Sequence, residues 1–433
     1  MVSEMKKIIM LFLLLLSFTL FGCQNGQTQE KDNEELKINM NSYIDSLISA
    51  TPSYIPSWNQ EGFKGRWNYI DGVFLNSIVN LYEQTKDEKY KDFFINYINY
   101  YISYFGDFIN PKENEVSFKA GELDSICASR ILFDAYQYTS DKRYMFAIDK
   151  TYQQLMKIPK ASGSNNFWHK TTYPNQIWLD GMYMYVPFYV RYALKFNKDE
   201  IFSEITGQYK YIRDNMFDEE YKLYYHGHDT TRTIFWADST TGNSESFWLR
   251  SIGWYLTSLV DVIEYFPEGE DKEYLKELLI EGVDGIVQYI NKEKNMFYQL
   301  VNLGEYSTNV ESKYLSALKN VKYMVNEEYV DTEISNYLES SGSCMISYCM
   351  LKGSRLGILD NKYQKIGKDI FEGVYNNSFI DNELGDICIT AGLGPSTNEI
   401  RDGSISYYLA EPVGKNDAKG VGPFIMAYIE YIR

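Results

Sequence analysis

The chain has 433 residues, 45% of them hydrophobic and 16% aromatic, and carries a formal charge of −17. That length allows a large buried core, and the acidic balance argues against nucleic acid and against holding an anionic bilayer by charge. An anionic ligand has to be gripped by local cations, against the overall field.

From the amino terminus, Lys6 and Lys7 precede an apolar run, Ile8 to Phe21, too short and wrongly flanked for a mature membrane span. The run ends in Leu20-Phe21-Gly22-Cys23, which resembles a bacterial lipobox. The resemblance implies cleavage before Cys23 and lipidation there. The expectation is a protein of the cell envelope, at an outer membrane or cell surface, that touches the membrane only through its lipid. Loss of residues 1–22, with Glu4, Lys6 and Lys7, takes the charge to −18. Gln24 to Glu35 is polar and lacks apolar periodicity. Residues 23–38 are therefore expected to form a lipidated, flexible tether ahead of a single domain, 39–433.

One local plan then recurs: an apolar helix, a short polar turn, and an amphipathic helix opened by an aromatic or apolar residue. Leu81 to Tyr90 and Ala135 to Tyr144 are close copies, with later versions at 197–201, 269–274 and 359–363. Asp87, Asp141, Asp199, Asp271 and Asp360 are each expected to cap the helix that follows. The spacing starts near about 55 residues and lengthens, too long for a tetratricopeptide array and too irregular for a solenoid. Inner and outer helices closing into an all-α toroid, with insertions at one rim, fit this pattern. Short strands are expected only at Leu223–His226 and Ser404–Leu409. Cys127, Cys344, Cys349 and Cys388 read as buried free thiols, because no dense disulfide framework is present. The 40 tyrosines are mostly core, with a surplus suited to stacking on sugar faces.

The segment Phe167 to Gly181 mixes aromatics, His169, Lys170, amides and Asp180 just ahead of an apolar helix, a mixture that packing does not require. Asp180 is either the N-cap of that helix or a proton donor. Asp124 opens another apolar helix and has the same two readings. Paired carboxylates in different environments are equipment for glycosidic chemistry. Phe247, Arg250, Ser251 and Trp254 fall on one helical face. Arg250, in a first turn, needs an anionic partner, either Glu245 or a ligand carboxylate. The three histidines, His169, His226 and His228, are expected to meet sugar hydroxyls; zinc is the weaker reading, and no metal is assigned. Pro423 suits the first position of the last helix.

Together these blocks resemble glycoside hydrolase family 105, the unsaturated rhamnogalacturonyl hydrolases. They include Arg66-Trp67-Asn68-Tyr69, Trp168 to Gly181, Tyr225-His226-Gly227, Phe247 to Tyr255 and Gly420 to Phe424. The resemblance implies an (α/α)6 barrel and a cofactor-free hydrolase. Its substrate would be an oligosaccharide with a 4,5-unsaturated uronic acid at the non-reducing end. The chain itself is expected to be a monomer or weak dimer. It places the proton donor on Asp180. It places the substrate-binding pocket on Asp124, His169, Lys170, His226, Trp248, Arg250, Trp254, Trp67 and Tyr69. The chain departs from the family pattern at His228 and at Cys127-Ala128. The competing readings are an unsaturated glucuronyl hydrolase acting on glycosaminoglycan or ulvan fragments, and a non-catalytic glycan-binding lipoprotein. A hydrolase or epimerase of saturated sugars is a third.

Overall fold

The computed structural model describes residues 34–50, 52, 66–112, 115–315, 324–325, 328–329 and 333–433. The chain divides into two compact units at residue 50. In the first, residues 34–50 form helix α1, so the tether expected over 23–38 ends inside a helix. The signal segment and Cys23 lie outside the described residues.

The second unit is built from helix pairs. They are α2 (Tyr69–Thr85) with α3 (Glu88–Tyr101), and α4 (Asp124–Cys127) running through a 3-10 turn into α5 (Ile131–Thr139), followed by α6 (Lys142–Leu155). Next come α7 (Leu179–Phe196) with α8 (Glu200–Met216), and α9 (Leu249–Ile263) with α10 (Glu270–Ile286). A short α11 (Ser312–Leu315) precedes α12 (Ser340–Arg355) and α13 (Asn361–Ser378), then a short α14 (Ile405–Ala410) and the final α15 (Ala418–Ile432).

Packing sorts these into a closed inner ring, α2, α4–α5, α7, α9, α12, α15 and back to α2, with α3, α6, α8, α10 and α13 outside it. Burial explains the sorting. Every residue of α9 is buried, whereas α6 buries only Tyr144, Ala147, Ile148, Thr151 and Leu155, a single helical stripe. This is the expected (α/α)6 barrel. Two glycines let the inner ring close tightly. A Cβ at Gly422 would lie 2.9 Å from the Val73 carbonyl oxygen, and one at Gly72 would lie 2.8 Å from the Ala128 nitrogen.

The recurring turns work as expected at three of the five places. Asp87, Asp141 and Asp360 accept the backbone N–H two residues on. Lys86 and Ser140 end the preceding helices in the left-handed region, at φ 57° and 58°. Asp199 makes no capping bond, and Asp271 lies inside the first turn of a helix whose N-cap is Gly269.

Three other expectations change. Leu223–Tyr224 does pair, with Phe217–Asp218, but His226 lies outside that strand. Ser404–Leu409 is helical: the Ser404 hydroxyl accepts the Tyr407 N–H, and the capped turn becomes α14. Pro423 is not at the first position of α15, because Asp417 caps that helix and it starts at Ala418. The four cysteines beyond Cys23 are free and buried.

The inner helices run parallel, so their ends collect at opposite poles. Tyr69, Asp124, Asp180, Arg250 and Lys419, each in the first turns of its helix, line one cavity of about 180 Å3. Glu83, Asp134, Arg191, Glu264, Arg355 and Glu430, near the other ends, line a second of about 240 Å3. The larger cavity is not the better candidate site. Its charges are paired with one another: Arg191 with Asp134, Arg355 with Glu430, and Arg130 and Lys352 with Asp261.

Candidate active site

Backbone pairing assembles the polar cluster at the amino-terminal pole. Strand Gln176–Trp178 pairs antiparallel with Gly227–Asp229, so that Trp178 faces Gly227, and the Leu179 N–H donates to the His226 carbonyl. That register brings His226 against Asp180. Gly227 leaves room there for Leu393, whose Cδ1 would lie 2.3 Å from a Cβ and would have to move aside for one. A second contact pairs Glu122 with Lys170, with the Leu123 N–H donating to the His169 carbonyl, and so sets His169 and Lys170 beside Asp124.

Neither acid is a cap. Trp178 and Leu123 occupy the N-cap positions, and Asp180 and Asp124 sit in the first turns without capping bonds. Their surroundings differ. Asp124 Oδ2 is 2.5 Å from Lys170 Nζ, and Asp124 Oδ1 is 3.4 Å from His169 Nε2. Burial would raise the Asp124 carboxyl, but Lys170 and then His169 outweigh it and hold the group below its ordinary range. Burial would likewise lower Lys170, yet Asp124 and Glu122 hold its ammonium well above the usual value.

Asp180 has no lysine or arginine partner among the described residues. His226 Nε2 lies 3.1 Å from its Oδ2, outside hydrogen-bond alignment. His226 Nδ1 meets the Tyr408 hydroxyl at 2.5 Å. Burial keeps that phenol protonated, so it can donate to Nδ1 and leave the ring proton on Nε2, facing Asp180. Burial also pushes His169 down to about 4, so its imidazole is neutral near neutral pH.

The walls are aromatic. His169 stacks on Trp178 at 4.3 Å and Trp178 on Tyr173 at 5.0 Å, while Trp254 packs on Tyr183. Arg250, 2% exposed, does not pair with Glu245. It donates to the Cys388 carbonyl and to Ser341 Oγ, which in turn donates to Glu339 at 2.6 Å. Its built-in counter-charge is thus Glu339, the N-cap of α12.

Four buried polar atoms on cavity-lining side chains have no hydrogen-bond partner among the described residues: His169 Nδ1, Asp180 Oδ2, Trp248 Nε1 and Arg250 Nε. Buried polar groups left open in this way suit a hydroxyl-rich ligand.

Of the residues expected in the pocket, Tyr69, Asp124, His169, Lys170, Asp180, Trp248, Arg250 and Trp254 line the cavity, and His226 stands directly behind Asp180. Trp67 does not line it. It is fully buried, donates to Ser129 Oγ, and packs on Tyr97 and Phe108, a core role. His228 bonds Asn243 away from the cluster. Among the described residues no three His, Cys, Asp or Glu side chains converge as a metal site. Sequence reasoning missed Arg401 and Thr390, which arrive from loops, Tyr408 from α14, and Lys419 from the start of α15. Only the run Lys419-Gly420-Val421-Gly422-Pro423 signalled that region.

An (α/α)6 toroid with two dissimilar carboxylates and aromatic walls at one mouth defines a glycosidase-type site. The described family model Glycosyl Hydrolase Family 88 matches residues 43–322 and 326–433. A glycoside hydrolase from family 105 of C. acetobutylicum ATCC 824 is 32% identical, with 91% of this chain and 99% of that chain covered and a TM-score of 0.76. The chain belongs to the family this model describes, and to glycoside hydrolase family 105; it is a glycoside hydrolase. It is also similar to Protein Atu3128 of Agrobacterium fabrum, 28% identical over 57% of this chain and 97% of that protein. The unsaturated glucuronyl hydrolase of Bacillus sp. GL1 shares the fold at 12% identity and a TM-score of 0.60, covering 90% of this chain and 95% of that one.

Proposed function

We propose that the enzyme removes a 4,5-unsaturated uronic acid from the non-reducing end of lyase-generated oligosaccharides of the rhamnogalacturonan type. The observation that carries this is the pair of first-turn carboxylates in one cavity. Asp124 is held ionised by Lys170, while Asp180 has no lysine or arginine partner among the described residues and faces the His226 imidazole.

In this reading Asp180, protonated, delivers its proton to C4 of the enol ether, and positive charge develops at C5 and the ring oxygen. Water adds at C5 and gives its proton back to the Asp180 carboxylate. The hemiketal opens between C5 and the ring oxygen, and the hemiacetal left at C1 expels the shortened sugar, leaving a keto-uronate. Asp124 orients a ring hydroxyl or the water. Arg250, through its open Nε, receives the uronate carboxylate at the floor, and Trp248 and Trp254 pack on the ring. No cofactor is needed for these steps.

Asp180→Asn should lower kcat by about 10³-fold, followed as loss of the ultraviolet absorbance of the conjugated enol ether, with an unchanged melting temperature. Turnover at the wild-type rate would remove Asp180 from the mechanism.

A second reading, unsaturated glucuronyl hydrolysis of glycosaminoglycan or ulvan fragments, draws support from an additional cation at the mouth, Arg401. Lipidation at Cys23 would hold the enzyme at the cell envelope, where polymer fragments arrive. Cys23→Ser should then release it from the membrane fraction.

A further inference from the structure

Resting on the reading that a 4,5-unsaturated uronide enters this cavity, we propose that Arg401 marks a subsite for a second anionic group on the departing part of the substrate. That group is a sulfate ester or a carboxylate.

Lys170, Arg250, Arg401 and Lys419 are the cationic side chains lining the cavity. Each has a counter-charge within the protein, held in a different way. Lys170 lies 2.5 Å from Asp124 and Lys419 lies 3.0 Å from Asp417. Arg250 reaches Glu339 through Ser341. Arg401 likewise reaches a carboxylate, Glu411, only through a hydroxyl, that of Tyr407, by a long bond from Nε of 3.4 Å; among the described residues it forms no ion pair and its two Nη groups make no hydrogen bond. A guanidinium partly withdrawn from water, with its planar fork unused, is completed by a bidentate anion.

Depth decides which anion. Arg250 is 2% exposed and forms the floor, whereas Arg401 is only partly buried, on the loop between α13 and α14. A substrate attacked at its terminal sugar places that sugar at the closed end, so the following sugars pass Arg401. The guanidinium shares that outer part with an aromatic wall. A Cβ on Gly392 would fall 2.2 Å from Arg401 Nη2 and 3.2 Å from Trp178 Cζ3, and Tyr173 stacks on Trp178. A stacking face beside an open fork matches a sugar that carries a negative substituent.

The test compares wild type, Arg401→Met and Arg401→Lys on three substrates. These are an unsaturated uronide joined to a neutral sugar, the same disaccharide with a sulfate ester on that sugar, and a longer oligosaccharide with a uronate beyond it. Arg401→Met should lower the ratio of charged to neutral kcat/KM by about tenfold in at least one charged arm, with partial rescue by Arg401→Lys. The arm that falls identifies the source of the anion. An equal fall in all three arms, or no fall in any, overturns the proposal. Were wild type to turn over none of them, the proposed hydrolysis would fail, and calorimetry with a sugar sulfate and a free uronate would judge Arg401 separately. Weaker binding of either to Arg401→Met supports the subsite; equal binding to both proteins rejects it.

Discussion

His169 and Asp71 show how burial sets charge in opposite senses. Burial lowers His169 to about 4 against an unfolded value of 6.5. A depressed base contributes stability that is full above 6.5 and is lost as pH falls through about 4. Burial raises Asp71 to about 7 from 3.8, despite hydrogen bonds from Asn68 and Tyr97 that lower it. A raised acid contributes stability that is full below 3.8 and is lost as pH rises through about 7. The two slopes oppose each other over nearly the same window, so these two contributions nearly cancel in the wild type. Asp71→Asn removes one slope, and urea unfolding should then show stability about 3 kcal/mol lower at pH 4 than at pH 6.5. A level profile in that variant would mean that His169 takes up its proton in the folded protein. The same burial has a functional side: a neutral His169 offers a sugar hydroxyl a hydrogen bond without competing with Asp180 for charge.

At the scale of elements, a repeated sequence turn does not guarantee repeated capping. Asp360 accepts the Lys362 N–H at 2.8 Å, whereas Asp199 sits before α8 with helical backbone angles and no such bond. Asp360→Ala should therefore cost about 1 kcal/mol, and Asp199→Ala less than about 0.5 kcal/mol, in chemical denaturation. Equal losses would show that the Asp360 bond adds nothing. The two-stranded ribbon Gln176–Trp178 with Gly227–Asp229 matters more than its size suggests. Its register alone determines that His226, not His228, stands at Asp180. A slip of one strand by one residue would turn its side chains to the other face.

At the scale of the molecule, the first turns of five inner helices line the site, and their N–H groups favour a bound anion in a chain whose net charge opposes one. The opposite pole collects cations near helix C-termini, held by shared acids. Asp261 answers both Arg130 at 2.7 Å and Lys352 at 2.9 Å, and the Arg130 guanidinium lies 5.3 Å from the Tyr183 ring, which packs on Trp254 of the site. Asp261→Asn leaves two buried cations short of charge and should cost about 3 kcal/mol, seen as a lower melting temperature. An unchanged melting temperature would mean that Glu264 alone neutralises Lys352.

The helix pairs, the toroid and both carboxylates were legible in the residues themselves, because apolar periodicity, turn chemistry and acids at helix starts are local properties. Asp180 could be read either as a cap or as an acid until the backbone gave the N-cap position to Trp178. Trp67 lay in a motif beside Tyr69, yet only packing sends its ring into the core and leaves Tyr69 on the cavity. Ser404–Leu409 alternates like a strand, and one hydroxyl cap makes it a helix. The partner of Arg250, the open fork of Arg401 and the Tyr408–His226 contact join positions far apart in the chain. Sequence alone determined which chemical groups are present and which local elements carry them. Tertiary structure decided which charges are neutralised and which stay open, because ring closure sets the distances between side chains that no local pattern links.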